Sequence, residues 1–163
     1  MLRSATLVAV LAAAQAPVAK YVPPAPVQPL PFSHKQHLAT GLDCKTCHAI
    51  AEPGDFAGIP ATEKCMACHV AVKKDSPAVQ RLAEYHAKSE AVPWKRVYRI
   101  PDYVFFSHKM HLGSGKATCE TCHGPVRERD VLRKEKETSM AACMECHRAN
   151  SASLTCDFCH DQR

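Results

Sequence analysis

In 163 residues the chain carries a formal charge of +5, ten cysteines and ten histidines. Its most apolar stretch, residues 7–14, is far shorter than the roughly 20 residues of a bilayer span, which excludes a conventional transmembrane helix there. So small a positive charge is a poor basis for inferring any partner, nucleic acid included.

From the N-terminus, Arg3 supplies a minimal positive region, residues 7–14 an apolar run, and Ala12, Ala13, Ala14 and Ala16 the small residues of a cleavage site. This plan predicts a secretory signal over residues 1–16. Pro17 hinders cleavage directly after Ala16, so retention as an N-terminal anchor stays open. Residues 17–31 hold Pro17, Pro23, Pro24, Pro26, Pro29 and Pro31, which predicts an extended, polyproline-like spacer.

Beyond the spacer one pattern recurs five times: Cys44-Lys45-Thr46-Cys47-His48, Cys65-Met66-Ala67-Cys68-His69, Cys119-Glu120-Thr121-Cys122-His123, Cys143-Met144-Glu145-Cys146-His147 and Cys156-Asp157-Phe158-Cys159-His160. Every cysteine falls inside a copy. Cys-x-x-Cys-His is the attachment signature of haem c: both thiols add across the vinyl groups, and the adjacent histidine reaches the iron as proximal ligand. A lone Cys-x-x-Cys reads equally as a redox pair or half a zinc site. Neither zinc nor a disulfide framework demands a histidine after every second cysteine. Five covalently bound haems c are therefore expected, with His48, His69, His123, His147 and His160 on their irons.

Haem attachment takes place outside the cytoplasm, which agrees with the leader and predicts a periplasmic or cell-surface protein. Two propionates on each haem more than cancel the formal +5, so net charge depends on redox state. A chain of this length ordinarily buries its own core. With five haems to wrap, the macrocycles must supply most of the interior. The expected fold is mostly coil with short α-helices and little or no β-sheet.

Each half of the chain opens with the same segment. Phe32-Ser33-His34-Lys35-Gln36-His37-Leu38 precedes the first two motifs, and Phe106-Ser107-His108-Lys109-Met110-His111-Leu112 the third and fourth. A duplicated dihaem unit with an appended fifth motif is the simplest account. It divides the chain into residues 32–92, 93–148 and 149–163. His-x-x-His puts two imidazoles on one helical face. Five histidines lie outside the motifs, namely His34, His37, His86, His108 and His111, and their number matches that of the irons. All five are candidate distal ligands.

For His86, Ser76-Pro77 reads as an N-cap and first helical residue, with Val79, Leu82, Ala83 and His86 on one face behind it. Met110 and Met140 compete for a sixth position, and a thioether there would raise the haem potential. Met66 and Met144 are packing residues. Residues 93–106, bounded by Pro93 and Pro101 and rich in aromatics, predict an extended strap that packs on haem faces or docks a partner. The mixed charges of residues 127–137 predict a solvated helix.

The Phe-Ser-His-x-x-His segments ahead of Cys-x-x-Cys-His resemble the class III multihaem cytochromes c. Ile59-Pro60-Ala61 before the second motif, Val72-Lys73-Lys74-Asp75-Ser76-Pro77, Pro93-Trp94-Lys95-Arg96-Val97 and Pro101-Asp102-Tyr103-Val104-Phe105-Phe106 are similar to the pentahaem subunit of alternative complex III, a quinol-oxidising membrane assembly. The resemblance implies bis-histidine haems wired in a chain that carries electrons from a quinol-oxidising partner to a soluble acceptor, and no bond is made or broken in a substrate. The alternative is a reductase of a small oxyanion using one open haem.

Overall fold

The computed structural model describes residues 22–160. The leader and the first residues of the spacer lie outside them. Among the described residues the helices are α1 (His34–Leu38), α2 (Cys44–Cys47), α3 (Thr62–His69), α4 (Pro77–Ala87), α5 (His108–Gly113), α6 (Cys119–His123), α7 (Met140–Ala149) and α8 (Cys156–Cys159), with a 3-10 turn at Val126–Glu128. No strand occurs among them, and the one β-type pairing is an isolated antiparallel bridge between Val104 and His160.

Helices this short are marginal alone and are held by their caps. Ser33 Oγ accepts from Gln36 N at 3.0 Å and Ser107 Oγ from Met110 N at 3.3 Å. Ahead of the first motif, Asp43 and Thr46 close a capping box; Thr118 and Thr121 repeat it at the third. The threonine of Cys-x-Thr-Cys-His is therefore a capping residue. α4 starts as expected, with Ser76 at the N-cap and Pro77 at the first position, although Ser76 makes no side-chain cap bond.

α4 turns Val79 and Leu82 inward and packs against α3. Leu30, Leu82 and Val92 form the buried cluster, backed by Cys65, Met66, Tyr85 and Trp94. Apart from Val79, no other apolar side chain among the described residues is buried. Phe56, Ile59, Val70, Tyr103, Phe105 and Phe158 stay exposed on the polypeptide alone. A core of this size cannot hold a domain, so the interior must come from bound groups.

The spacer is extended as expected and also docked, whereas the charged run departs from expectation. The spacer is docked from Gln28 onward: its amide donates to Lys95 O at 2.8 Å and accepts from Lys95 N at 2.9 Å, and Leu30 is 5% exposed. The prolines keep this stretch extended, and an extended chain can pair with the strap. Residues 127–137 form no helix beyond the 3-10 turn. Their polar groups are committed elsewhere, because Arg129 O accepts from Lys35 N, the Arg129 guanidinium grips Glu135 at 2.6 and 3.0 Å, and Glu135 N and Lys136 N donate to Tyr98 Oη.

The two repeats are locked reciprocally. α1, from the first, packs on the 3-10 turn that follows the third motif. α5, from the second, lies on the loop that follows the first motif: Gly54 O accepts from Lys109 N at 3.0 Å, and Lys109 Nζ pairs with Glu52 at 2.6 Å. Gly54 has φ +101°, and any side chain there would collide with Lys109. Only glycine suits both demands.

Candidate haem-binding sites

Each Phe-Ser-His-x-x-His segment builds a two-imidazole unit. The N-cap serine carbonyl accepts from Nδ1 of the second histidine, at 2.7 Å from His37 to Ser33 O and 2.7 Å from His111 to Ser107 O. The phenylalanine stacks on that ring and meets the first histidine edge-on. Phe32 lies 4.2 Å from His37 and 4.8 Å from His34, and Phe106 lies 4.7 Å from His111 and 4.8 Å from His108. The repeated phenylalanine was visible in the sequence, but its orienting role was not.

Motif histidines stand opposite these units. Ring centres are 6.3 Å apart for His34 and His48, 6.1 Å for His37 and His69, 6.4 Å for His108 and His123, and 6.0 Å for His111 and His147. A metal–imidazole bond is about 2 Å and the ring centre lies roughly 1 Å beyond the nitrogen, so two imidazoles sharing one iron stand about 6 Å apart. All four pairs fit that separation. The first and third pairs are nearly parallel, at 9° and 6°; the second and fourth are turned, at 62° and 39°.

Hydrogen bonds set the tautomer. His48 Nδ1 meets Gly58 O at 2.7 Å, His69 Nδ1 meets Val72 O at 2.9 Å, His108 Nδ1 meets Asp55 O at 2.7 Å and His147 Nδ1 meets Ser153 O at 2.8 Å. A carbonyl can only accept, so Nδ1 carries the proton and Nε2 is left as the metal-binding nitrogen. Burial, then the neighbouring His48 and His37, lower the His34 imidazole to about 4. Burial, then His108 and His48, also lower His123. Both rings are held neutral, the form that binds iron.

The ten thiols form no disulfide. Burial raises the Cys44 thiol, with Cys119 beside it. The same cause raises Cys65 beside Cys47, Cys122 beside Cys146 and Cys143, and Cys143 beside Cys159.

The remaining candidates are not brought together. His86 sits over α3, its Nδ1 3.2 Å from Thr62 Oγ1 and 4.0 Å from Glu63. The His160 ring lies 6.0 Å from that of Tyr103. Met110 and Met140 are exposed. α4, which carries His86, packs on α3, the helix of the second motif. A residue the sequence left unassigned is Tyr98. Its hydroxyl donates to His123 O at 3.2 Å, and its ring meets His123 edge-on at 4.7 Å.

Five Cys-x-x-Cys-His motifs on short helices, four of whose histidines face a second imidazole at iron-sharing distance, define a multihaem c-type cytochrome. A model of the class III cytochrome c family matches residues 10–96, and one of cytochrome c7 and related cytochromes c matches residues 104–162. The multihaem cytochrome c subunit of a menaquinone reductase from Nitratidesulfovibrio vulgaris strain Hildenborough is 32% identical over 160 residues, covering 82% of this chain and 76% of that protein. The chain belongs to the class III cytochrome c family. Its cofactor is covalently bound haem c, and its work is electron transfer rather than catalysis.

Proposed function

We propose that the chain is a periplasmic pentahaem cytochrome that exchanges electrons with a membrane quinone oxidoreductase complex. Cys44 and Cys47, Cys65 and Cys68, Cys119 and Cys122, Cys143 and Cys146, and Cys156 and Cys159 attach the haems, with His48, His69, His123, His147 and His160 as proximal ligands. His34, His37, His108 and His111 are the distal ligands of the first four in that order. The observation that carries this reading is the set of four histidine pairs with ring centres 6.0–6.4 Å apart. Two imidazoles close an iron to substrate, which suits outer-sphere transfer.

The fifth haem is the distinct one. Among the described residues no histidine stands opposite His160, so this iron takes a weaker sixth ligand and has a higher potential than the bis-histidine four. Met140 is the first candidate, at the start of α7, whose His147 lies 6.3 Å from Phe158 of the fifth motif. No described helix is long and apolar enough to cross a membrane. The relative's name speaks of menaquinone reduction, opposite in direction to the quinol oxidation that the sequence resemblance implied. We therefore assign this chain the role of donor to the quinone-reactive partner.

Haem stoichiometry with low-temperature EPR of the oxidised protein tests the assignment. Five haems per chain, four of them bis-histidine low-spin in two classes of ligand-plane angle, are expected. Fewer than four such signals would overturn the pairing. A methionine-to-iron band in the near infrared that disappears in Met140→Ala identifies the fifth ligand. Direction is read by whether the reduced cytochrome is oxidised by menaquinone in membranes that carry the complex.

A further inference from the structure

The attachment sites neighbour one another in an order that differs from the order of the chain. α1 carries both His34, which faces His48 of the first motif, and His37, which faces His69 of the second, and it packs on the 3-10 turn that follows the third. α5 likewise carries His108, which faces His123 of the third motif, and His111, which faces His147 of the fourth.

Independent contacts give the same succession. The first and third motifs exchange partners: His108, which faces the third motif's His123, is held by Asp55 O from the loop after the first motif. α1, which carries His34 opposite His48, is held by Arg129 O from the segment after the third. The fourth and fifth motifs meet where Phe158 stands 6.3 Å from His147. The fifth is tied to the strap by the Val104–His160 bridge and by Phe105 N donating to Cys159 O at 2.8 Å. At the opposite end the second motif lies under α4 and the small apolar core.

We infer that the five haem sites run through the molecule in the order second, first, third, fourth, fifth, so that electrons enter and leave at the sites of Cys65 and Cys156. This rests on the five-haem reading. Imidazoles three residues apart on one short helix serve neighbouring irons, so α1 and α5 each hold two haems side by side. Each hop then oxidises one ferrous iron and reduces its ferric neighbour, with no other reactant. The duplication supplies the symmetry: the first and third sites, with near-parallel imidazoles, join the repeats, and the second and fourth flank them. The order also separates His86, at the second site, from His160, at the far end.

Crystals of the holoprotein, measured at the iron absorption edge, decide this without any variant. The expected result is five iron peaks, with the iron on His48 between those on His69 and His123, and the iron on His160 adjacent only to that on His147. An iron on His69 adjacent to the one on His123, or one on His160 adjacent to that on His69, overturns the order. Fewer than five peaks strikes the haem count, and the order is still read from the irons present. In solution, removing the internal first haem (Cys44→Ala with Cys47→Ala) should isolate the second haem from rapid electron redistribution after pulse reduction. Removing the terminal second haem (Cys65→Ala with Cys68→Ala) should leave redistribution among the others intact. Equal effects of the two removals would contradict the assignment.

Discussion

Most of the facing imidazoles are aimed by one hydrogen bond from the nitrogen that does not bind metal, and the acceptor is a backbone carbonyl. Such bonds fix ring orientation and raise ligand basicity. His34 and His123 are the exceptions: the buried Nδ1 of His34 has no partner and its ring packs against Phe32, while the ring of His123 packs against Tyr98. His34→Met should raise the potential of one haem alone, by about 0.1 V or more of the roughly 0.8 V that axial ligands command. Spectroelectrochemistry checks this, and an unchanged set of potentials would count against His34 as a ligand. Tyr98 acts one step further out. Tyr98→Phe strands the N–H groups of Glu135 and Lys136 and frees the His123 carbonyl. A loss of about 1–3 kcal/mol is expected for such a partly buried set, read from thermal unfolding of the holoprotein.

Most of the helices are short because each only has to present a motif or a histidine pair. Their caps therefore matter more than their propensities. Ser107→Ala removes the cap of α5 and should cost about 1 kcal/mol. Chemical denaturation measures that cost, and a neutral result would show that the distal pair is held by the Gly54 loop alone. The segment after the 3-10 turn depends on an ion pair. The Arg129 hydrogen bond, then its charge and those of Arg133 and Lys136, hold the Glu135 carboxyl below its ordinary value of 4.5. With the folded value depressed, the contribution is fully present above pH 4.5 and is lost as pH falls through the lower, folded value. Glu135→Gln should lower stability at neutral pH and flatten its decline in acid, as followed by melting temperature against pH.

At the scale of the whole molecule, the four buried apolar side chains among the described residues cannot offset the conformational entropy of folding them. The haems are its core. Chain produced without haem attachment should lose most of its helical circular dichroism, because ligand binding and folding are one event. A cooperative thermal transition in that apo-chain would refute the point. Because the first and third sites sit at the junction of the repeats, losing either should disturb the fold more than losing the fifth, which is tied to the strap at the end of the chain.

Residue identity and spacing were enough to reveal the cofactor chemistry, the duplication and the helical His-x-x-His pairs, because thioether attachment and a 3.6-residue period leave local signatures. The start of α4 at Ser76-Pro77 was legible for the same reason. Which imidazole faces which, where His86 lies, and the order of the sites were not, since these depend on contacts between residues far apart in the chain, such as Asp55 with His108 and Lys35 with Arg129. The charged run read as a helix failed on the same ground: its backbone groups were claimed by Tyr98 and α1. Local chemistry was written in the sequence, whereas the path between sites was decided by tertiary packing, because a reciprocal exchange between two repeats has no local signature.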